Sequence, residues 1–352
     1  RKELLEENFT FDSYSDTEVL LTSYIAWGID AIKKLNGIFA FAIYDEDKQQ
    51  VFLARDPMGV KPLFYSKKGS TLIFGSEIKT ILAHPEVKAE VDRDGLTELF
   101  ALGPAVSPGS AVYKGINEIA AANCMLVTKD NIKIWEYWKV EAKELNETTD
   151  ESVSHVRQLL IDAIRRQLVG DVPVCTFLSG GLDSSIITKF TSDYMQEQDM
   201  APLDTYSVDY VDNDKNFVKS DFQPNSDNYY IDLMNKTTYS KHHTVMLDTP
   251  ELASSLKEAM LARDMPGMAD VDSSLYLFCK EVKKEKTVTL MGECADEIFG
   301  GYPWFFREDS LNSGTFPWSI AIQERTKLLN PSISSKINLK DYIDFRYNQS
   351  LS

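Results

Sequence analysis

The spacing of apolar residues changes character part-way along the chain. Up to about residue 140, apolar runs are short and separated by polar turns. Residues 37–44 (GIFAFAIY) are mostly apolar with only loose alternation, which predicts a strand buried on both faces. Residues 45–48 (DEDK) read as a polar turn into a second strand at 50–54 (QVFLA). Residues 62–65 and 71–74 flank Lys67-Lys68-Gly69-Ser70, a hairpin signal with glycine in the loop. Ahead of these, residues 16–27 carry Val19, Leu20, Ile25 and Ala26, as a helix would, with Ser15 or Asp16 as cap and Glu18 in the first turn. The pattern predicts an α+β domain rich in antiparallel sheet.

Residues 139–151 (KVEAKELNETTDE) are polar and poor in apolar residues, and the boundary is placed there, giving domains 1–145 and 146–352. Val153, Val156, Leu159, Leu160, Ala163, Ile164 and Leu168 then form one helical stripe. Strands are predicted at 172–178, 203–211, 244–247 and 287–291, and helices at 184–194, 250–262 and 272–284. Strands alternating with helices imply an α/β, doubly wound parallel sheet. No internal repeat is visible.

A length of 352 residues agrees with two domains at about 150 residues each. The net charge of −17 argues against nucleic acid or an anionic membrane surface as main partner, since both reward clustered Lys and Arg. No apolar run is long enough to span a membrane. An acidic protein that holds polyphosphate needs local relief from backbone N–H groups or a divalent cation. Cys124, Cys175, Cys279 and Cys294 lack metal-site or disulfide spacing, and read as reduced, mostly buried thiols of a cytoplasmic protein. The opening residues, Arg1 to Glu7, are charged, lack an initiator Met and a signal sequence, and read as the inside of a domain.

The strongest signal is Ser179-Gly180-Gly181-Leu182-Asp183-Ser184-Ser185, placed between a predicted strand and a predicted helix. Glycines let backbone N–H groups approach a ligand closely. The helix N-terminus adds unsatisfied donors and partial positive charge, and the serines add hydroxyls. Together they form an anion cradle at the carboxyl end of a strand, where open α/β sheets bind ligands. Alone, Ser-Gly-Gly would be an ordinary turn with a serine cap. GxxxxGK[ST] is absent, so this is not a Walker A loop. The segment resembles the PP-loop of the ATP pyrophosphatases, which implies ATP as substrate, a loop that holds the departing pyrophosphate, and Asp183 as a Mg2+ ligand.

A second cluster, Gly292-Glu293-Cys294-Ala295-Asp296-Glu297-Ile298-Phe299-Gly300-Gly301-Tyr302, follows a predicted buried strand. Carboxylates so placed are costly unless they meet a cation or a proton, although a solvated helix start would also carry them. Asp183 and Asp296 both follow strand ends and can converge on one magnesium. The GExxDExFGGY pattern downstream of SGGLDSS resembles the synthetase domain of glutamine-hydrolysing asparagine synthetases. That resemblance implies Glu293 at the reacting centre, Asp296 as second metal ligand, and Phe177, Val208, Met291 and Gly292 lining the AMP moiety. Two positions depart from the family pattern: Met291 stands where Ser is usual, so any contact with AMP there runs through the backbone, and Cys294 stands where Gly is usual. Asp264-Met265-Pro266 and Asp272-Ser273-Ser274 resemble a further family stretch with a supporting role.

In the first domain, residues 53–65 (LARDPMGVKPLFY), 74–79 (FGSEIK) and 35–41 (LNGIFAF) resemble class II glutamine amidotransferases. Arg55 with Asp56 reads physically as an ion pair bracing a loop. Ser15-Asp16-Thr17-Glu18 matches a stretch whose Asp holds the amino group of glutamine, so Asp16 is both a cap candidate and the implied glutamine ligand. Such domains use an N-terminal Cys as nucleophile. Arg1 cannot serve, and the family's Arg-His-Arg-Gly and Asn-Gly-Glu-Ile-Tyr-Asn stretches are missing, as is a catalytic Lys before an Arg-x-Pro-Phe-Leu stretch. The chain is therefore expected to lack both ends and to be unable to couple glutamine hydrolysis to amide formation.

The resemblance implies synthesis of asparagine from aspartate, glutamine and ATP through β-aspartyl-AMP. Alternatives are an amide ligase of the β-lactam synthetase kind, which has Tyr at the position of Glu293, and a non-catalytic homologue. No spacing identifies the acceptor acid. Oligomeric state is open, with a homodimer among the options.

Overall fold

In the computed structural model, which describes residues 1–219 and 225–351, strand pairing follows burial. The chain divides into two compact units, Arg1–Lys143 with Ala321–Ser352, and Glu144–Ile320.

The first unit holds helix α1 (Asp16–Trp27), strands β1 (Ala40–Asp45), β2 (Gln50–Arg55), β3 (Phe64–Lys68) and β4 (Thr71–Gly75), helix α2 (Arg93–Leu102), and strands β5 (Asn117–Glu118), β6 (Asn123–Val127) and β7 (Ile132–Glu136). One antiparallel sheet has the order β1-β2-β6-β7, and a smaller one β4-β3-β5. Ser15 is the helix cap, its hydroxyl accepting the Thr17 N–H at 3.2 Å. The β3–β4 hairpin closes on Gly69, whose φ of +56° suits the loop, with Lys68 facing Thr71.

The strand buried on both faces is β2, not the 37–44 segment. β1 starts only at Ala40, lies at the sheet edge and exposes Tyr44, whereas β2 is paired on both sides. Side chains alternate across β2. Phe52 and Ala54 join Tyr24, Ile32, Ile43 and Cys124, while Leu53 joins Leu63, Ile119 and Met125 on the other face.

Arg55 also differs from expectation. Its ion-pair partner is Glu118 (2.7 Å), and it donates to the carbonyls of Gly59, Lys61 and Ile119. Asp56 instead accepts the N–H groups of Met58, Val60 and Lys61. Both residues brace the 56–62 loop with separate partners, because adjacent strand-end side chains point to opposite sides. Burial pushes the Glu118 carboxyl above its usual range, with Arg55 opposing. Removing one member of a buried pair leaves the other uncompensated. Arg55→Ala is therefore expected to destabilise the first unit by about 3–5 kcal/mol, read as a lower urea midpoint; a change below about 1 kcal/mol, the scale of exposed pairs, would contradict this.

By its contacts, Ala321–Ser352 groups with the first unit. Arg325 donates to the carbonyls of Phe100 and Ala101 at the end of α2. The buried Glu98 carboxylate accepts the Tyr342 hydroxyl and the Ser107 N–H. Satisfying that carboxylate ties the segment down, and nothing in its hydrophobic pattern signals this.

The second unit begins with α3 (Thr149–Gln167), held by a Thr148–Glu151 capping box. Its predicted stripe is only partly used: Ile164 is buried, but Val153 is 62% and Leu159 57% exposed. Then follow β8 (Val174–Phe177), α4 (Leu182–Glu197), β9 (Leu203–Tyr210), α5 (Asn228–Thr237), β10 (Ser240–Leu247), α6 (Ala269–Val282), β11 (Val288–Leu290) and α7 (Ala295–Phe299). The sheet is wholly parallel, in the order β10-β9-β8-β11. One face is apolar: Cys175, Phe177, Tyr206, Val208 and Val245 pack with Phe278 and Val282 of α6. The other carries hydroxyls, with Thr176 bonded to Thr188 of α4 and His242 held between Thr205 and Ser207. No helix among the described residues is long and apolar enough to cross a membrane. Two of the four free cysteines, Cys124 and Cys175, are buried; Cys279 and Cys294 are exposed, so the thiols are less sheltered than expected.

Candidate active site

The parallel register fixes where the chemistry sits. β8 and β11 are neighbours, with Val288 beside Val174 and Leu290 beside Thr176, so the loops leaving their carboxyl ends emerge side by side. The first loop follows the buried Leu178, whose N–H donates to the Tyr206 carbonyl. Gly180 has φ +80°, and a Cβ there would lie 2.9 Å from the Asp227 carbonyl oxygen. Gly181 caps α4. The loop braces itself: Ser179 N–H donates to Ser184 Oγ (3.2 Å), the two hydroxyls lie 3.1 Å apart, and Gly181 N–H donates to Ser179 Oγ. The first-turn N–H groups of α4, those of Leu182, Asp183 and Ser184, have no intrahelical acceptor and face away from the helix. Ser184 is buried, Ser185 is half-buried, and the Leu182 side chain is exposed.

The second loop lies against the first. A Cβ on Gly292 would fall 2.8 Å from Asp183 Cβ and 3.2 Å from the Ser184 nitrogen, so only glycine permits this approach. Gly301 closes the next turn, its N–H donating to the Asp296 carbonyl at 2.9 Å; a Cβ there would meet only the movable end of the Asp296 side chain first. Cys294 caps α7 with φ +69°, a conformation that costs a non-glycine residue about 1 kcal/mol. The left-handed turn gives a physical reason for glycine in the family pattern at this position.

Asp183 and Asp296 lie on the two neighbouring loops, close enough for their charges to interact. The Asp183 carboxyl is pushed above its usual range, first by burial and then by the Asp296 charge. Glu293 is exposed on the same loop, and no ion pair holds it among the described residues. The Phe177 ring lies 4.5 Å from that of Phe278, tilted by 48°, and Val208 packs in the same cluster, so both are half-buried wall residues at the sheet's apolar face. The Met291 side chain is exposed. Arg263 and Asp272 pair at 2.9 Å around Gly267, and Ser274 accepts or donates to Tyr210 at 2.7 Å, so this stretch has structural bonds of its own. Asp16 lies in the other unit, exposed at the start of α1. Glu18 gathers the N–H groups of Asp12 and Ser13, bonds that hold its carboxyl below the usual range, the Ser13 hydroxyl contributing most.

Comparison with known proteins fixes the family. The asparagine synthase family matches residues 155–352, more than half of the chain. The chain belongs to the asparagine synthase family. A glutamine amidotransferase domain matches residues 1–138. The chain is 53% identical over all its 352 residues to asparagine synthetase [glutamine-hydrolyzing] 3 of Bacillus subtilis, of which it covers 57%. It is 32% identical over 85% of its length to putative asparagine synthetase [glutamine-hydrolyzing] 2 of Methanocaldococcus jannaschii, covering 56% of that protein. Against asparagine synthetase [glutamine-hydrolyzing] 1 of Bacillus subtilis the identity is 30% over 86% of this chain and 45% of that one. The chain thus spans about half the length of the curated relatives it matches.

In this asparagine synthase chain the contact at Gly292 gives a direct test. Gly292→Ala must displace either the 291–294 turn or the start of α4, and misplacing a positioned group by about 1 Å costs roughly 100-fold in rate. A loss of that size in turnover of the full-length protein is expected, with a melting temperature close to the parent's. Unchanged turnover would mean that the two loops are not held in register by this contact. Two features escaped the sequence reading. One is the turn that closes on Asp296, where the Gly301 N–H donates to the Asp296 carbonyl, signalled only by the glycine pair after Phe299. The other is Asp209, a carboxylate at the carboxyl end of β9, where Thr205, Ser207 and Asp209 form an all-polar face.

Proposed function

We propose that the protein carrying this chain is a glutamine-dependent asparagine synthetase of the cytoplasm. The observation that carries this reading is the meeting of the two strand-end loops, with Gly292 against Asp183 and Asp296 beside it. Ser179, Gly180, Gly181, Leu182, Asp183, Ser184 and Ser185 form the cradle for the β- and γ-phosphates of ATP, through backbone N–H groups and hydroxyls at a helix start. Phe177, Val208, Met291 and Gly292 line the nucleotide, Met291 and Gly292 through their backbone.

The donor chemistry fits magnesium: two carboxylates on neighbouring strand-end loops offer hard oxygens, and phosphates and water complete such a shell. Asp183 and Asp296 would hold the ion, which when bound neutralises phosphate charge and favours pyrophosphate departure. The chain's own groups orient the α-phosphate toward the aspartate side chain. A β-carboxylate oxygen attacks the α-phosphorus, the bond to the bridging oxygen breaks, and pyrophosphate leaves. Ammonia then attacks the β-carbonyl carbon of β-aspartyl-AMP, a proton passes to a base, and AMP departs. Glu293, exposed beside Asp296, is the group placed to take that proton.

The amidotransferase match at 1–138 supports glutamine as the source of ammonia, with Asp16 holding its amino group. Association as a homodimer is part of the proposal. The test follows nitrogen. Full-length protein given amide-labelled [15N]glutamine, aspartate and ATP should place the label in the side-chain amide of asparagine, with one AMP per asparagine. Formation of ADP, or asparagine without label, would sink this reading.

A further inference from the structure

The polar face of β9 ends in a clamp. Asp209 Oδ1 accepts the Asn213 amide at 2.7 Å and the Tyr210 N–H at 2.8 Å. Its other oxygen, Oδ2, accepts the Asn228 amide at 3.1 Å. Asn228 opens α5, and that helix start leans on the phosphate loop: a Cβ on Gly180 would lie 2.9 Å from the Asp227 carbonyl oxygen, 3.0 Å from Tyr230 Cβ and 3.3 Å from the Ile231 nitrogen. The Asp227 carbonyl in turn accepts the N–H groups of Tyr230 and Ile231, so this first turn moves as one piece.

A carboxylate at a strand's carboxyl end, beside a loop that must bind polyphosphate, is an electrostatic cost. Two neutral amides and a backbone N–H offset it without adding a cation. A chain under no such demand would do as well with an apolar residue on a sheet face flanked by helices. What the carboxylate achieves is geometry. It holds Asn228, and with it the α5 start, in close approach to Gly180.

We propose that Asp209 is a positioning residue for the nucleotide, acting through Asn228 and the α5 start to fix Gly180 and the cradle that follows it. This rests on the assignment of the loop to ATP. It concerns neither the metal ligands nor Glu293, and Asp209 itself touches no reacting atom.

The test uses full-length protein with ammonia as nitrogen donor, alongside calorimetric binding of a non-hydrolysable ATP analogue. Asp209→Ala and Asn228→Ala should each raise the KM for ATP about tenfold, less than the roughly 100-fold of a group misplaced by about 1 Å, because the clamp acts on the cradle at one remove. The KM for aspartate and the melting temperature should stay near the parental values. The double alanine variant should be no worse than either single one, because both remove the same contact. The reciprocal variant Asp209→Asn/Asn228→Asp, which restores an amide-to-carboxylate bond with reversed direction, should recover most of the affinity. Unchanged ATP affinity in Asp209→Ala, additive losses, or no recovery in the reciprocal variant would each overturn the proposal. The binding arm reads the clamp even in a protein that makes no asparagine, so failure of the clamp and failure of the functional reading give different results.

Discussion

Asp183→Asn in the full-length protein should lower the affinity for ATP with magnesium by roughly 100-fold or more while leaving the fold intact. Losing an outer-shell partner of a bound metal typically costs 10–100-fold, so loss of a direct ligand belongs at or above the top of that range. The change is isosteric, and it removes one of two carboxylates that repel each other across the Gly292 contact. In the protein without metal, the melting temperature should therefore hold steady or rise. That combination, weaker nucleotide binding with undiminished stability, separates a ligand from a structural residue. Asp296→Asn should behave alike, because it removes the other carboxylate of the same pair. Equal calorimetric affinity in wild type and Asp183→Asn would remove Asp183 from the metal site.

Glu293→Ala should show the opposite division. Glu293 lies on the loop surface beside Asp296 and fills no core, so neither folding nor nucleotide affinity should change appreciably. Amide formation should fall by about 10²–10⁴-fold, the range for loss of a positioned general base. Pyrophosphate exchange should survive better than asparagine formation, since the proton moves only when ammonia attacks. Glu293→Gln keeps shape and hydrogen bonding but accepts no proton, and should be as poor as alanine. Asparagine formed at the parental rate by Glu293→Ala would make the residue a spectator.

Much of this site is legible in the sequence, for physical reasons that can be named. SGGLDSS announces itself because the whole run, glycines, Asp and paired serines between an apolar strand and a helix start, is far more specific than a glycine turn with a serine cap. The parallel sheet follows from strand–helix alternation, and β8, β9, β10 and β11 fall where the apolar runs place them. The convergence of Asp183 with Asp296 is readable only as far as both follow strand ends; strand order, which makes β8 and β11 neighbours, comes from tertiary pairing. The first unit misleads at residues 37–44. An apolar run reports hydrophobicity, not position, and β1 lies at an edge while β2 is enclosed. Long-range polar contacts leave no periodic trace at all. Arg55 with Glu118, Tyr342 with Glu98, and Asn228 with Asp209 are all of this kind.

The central claim, an AMP-forming ligase built from the loops after β8 and β11, is tested most directly by isotope exchange. Full-length protein, magnesium, ATP and labelled pyrophosphate would be incubated with each of a panel of amino acids, without a nitrogen donor. The expected result is label entering ATP only when aspartate is present, with the exchange abolished by Asp183→Asn and largely retained by Glu293→Ala. Exchange with no amino acid of the panel, or exchange indifferent to Asp183→Asn, would contradict the account.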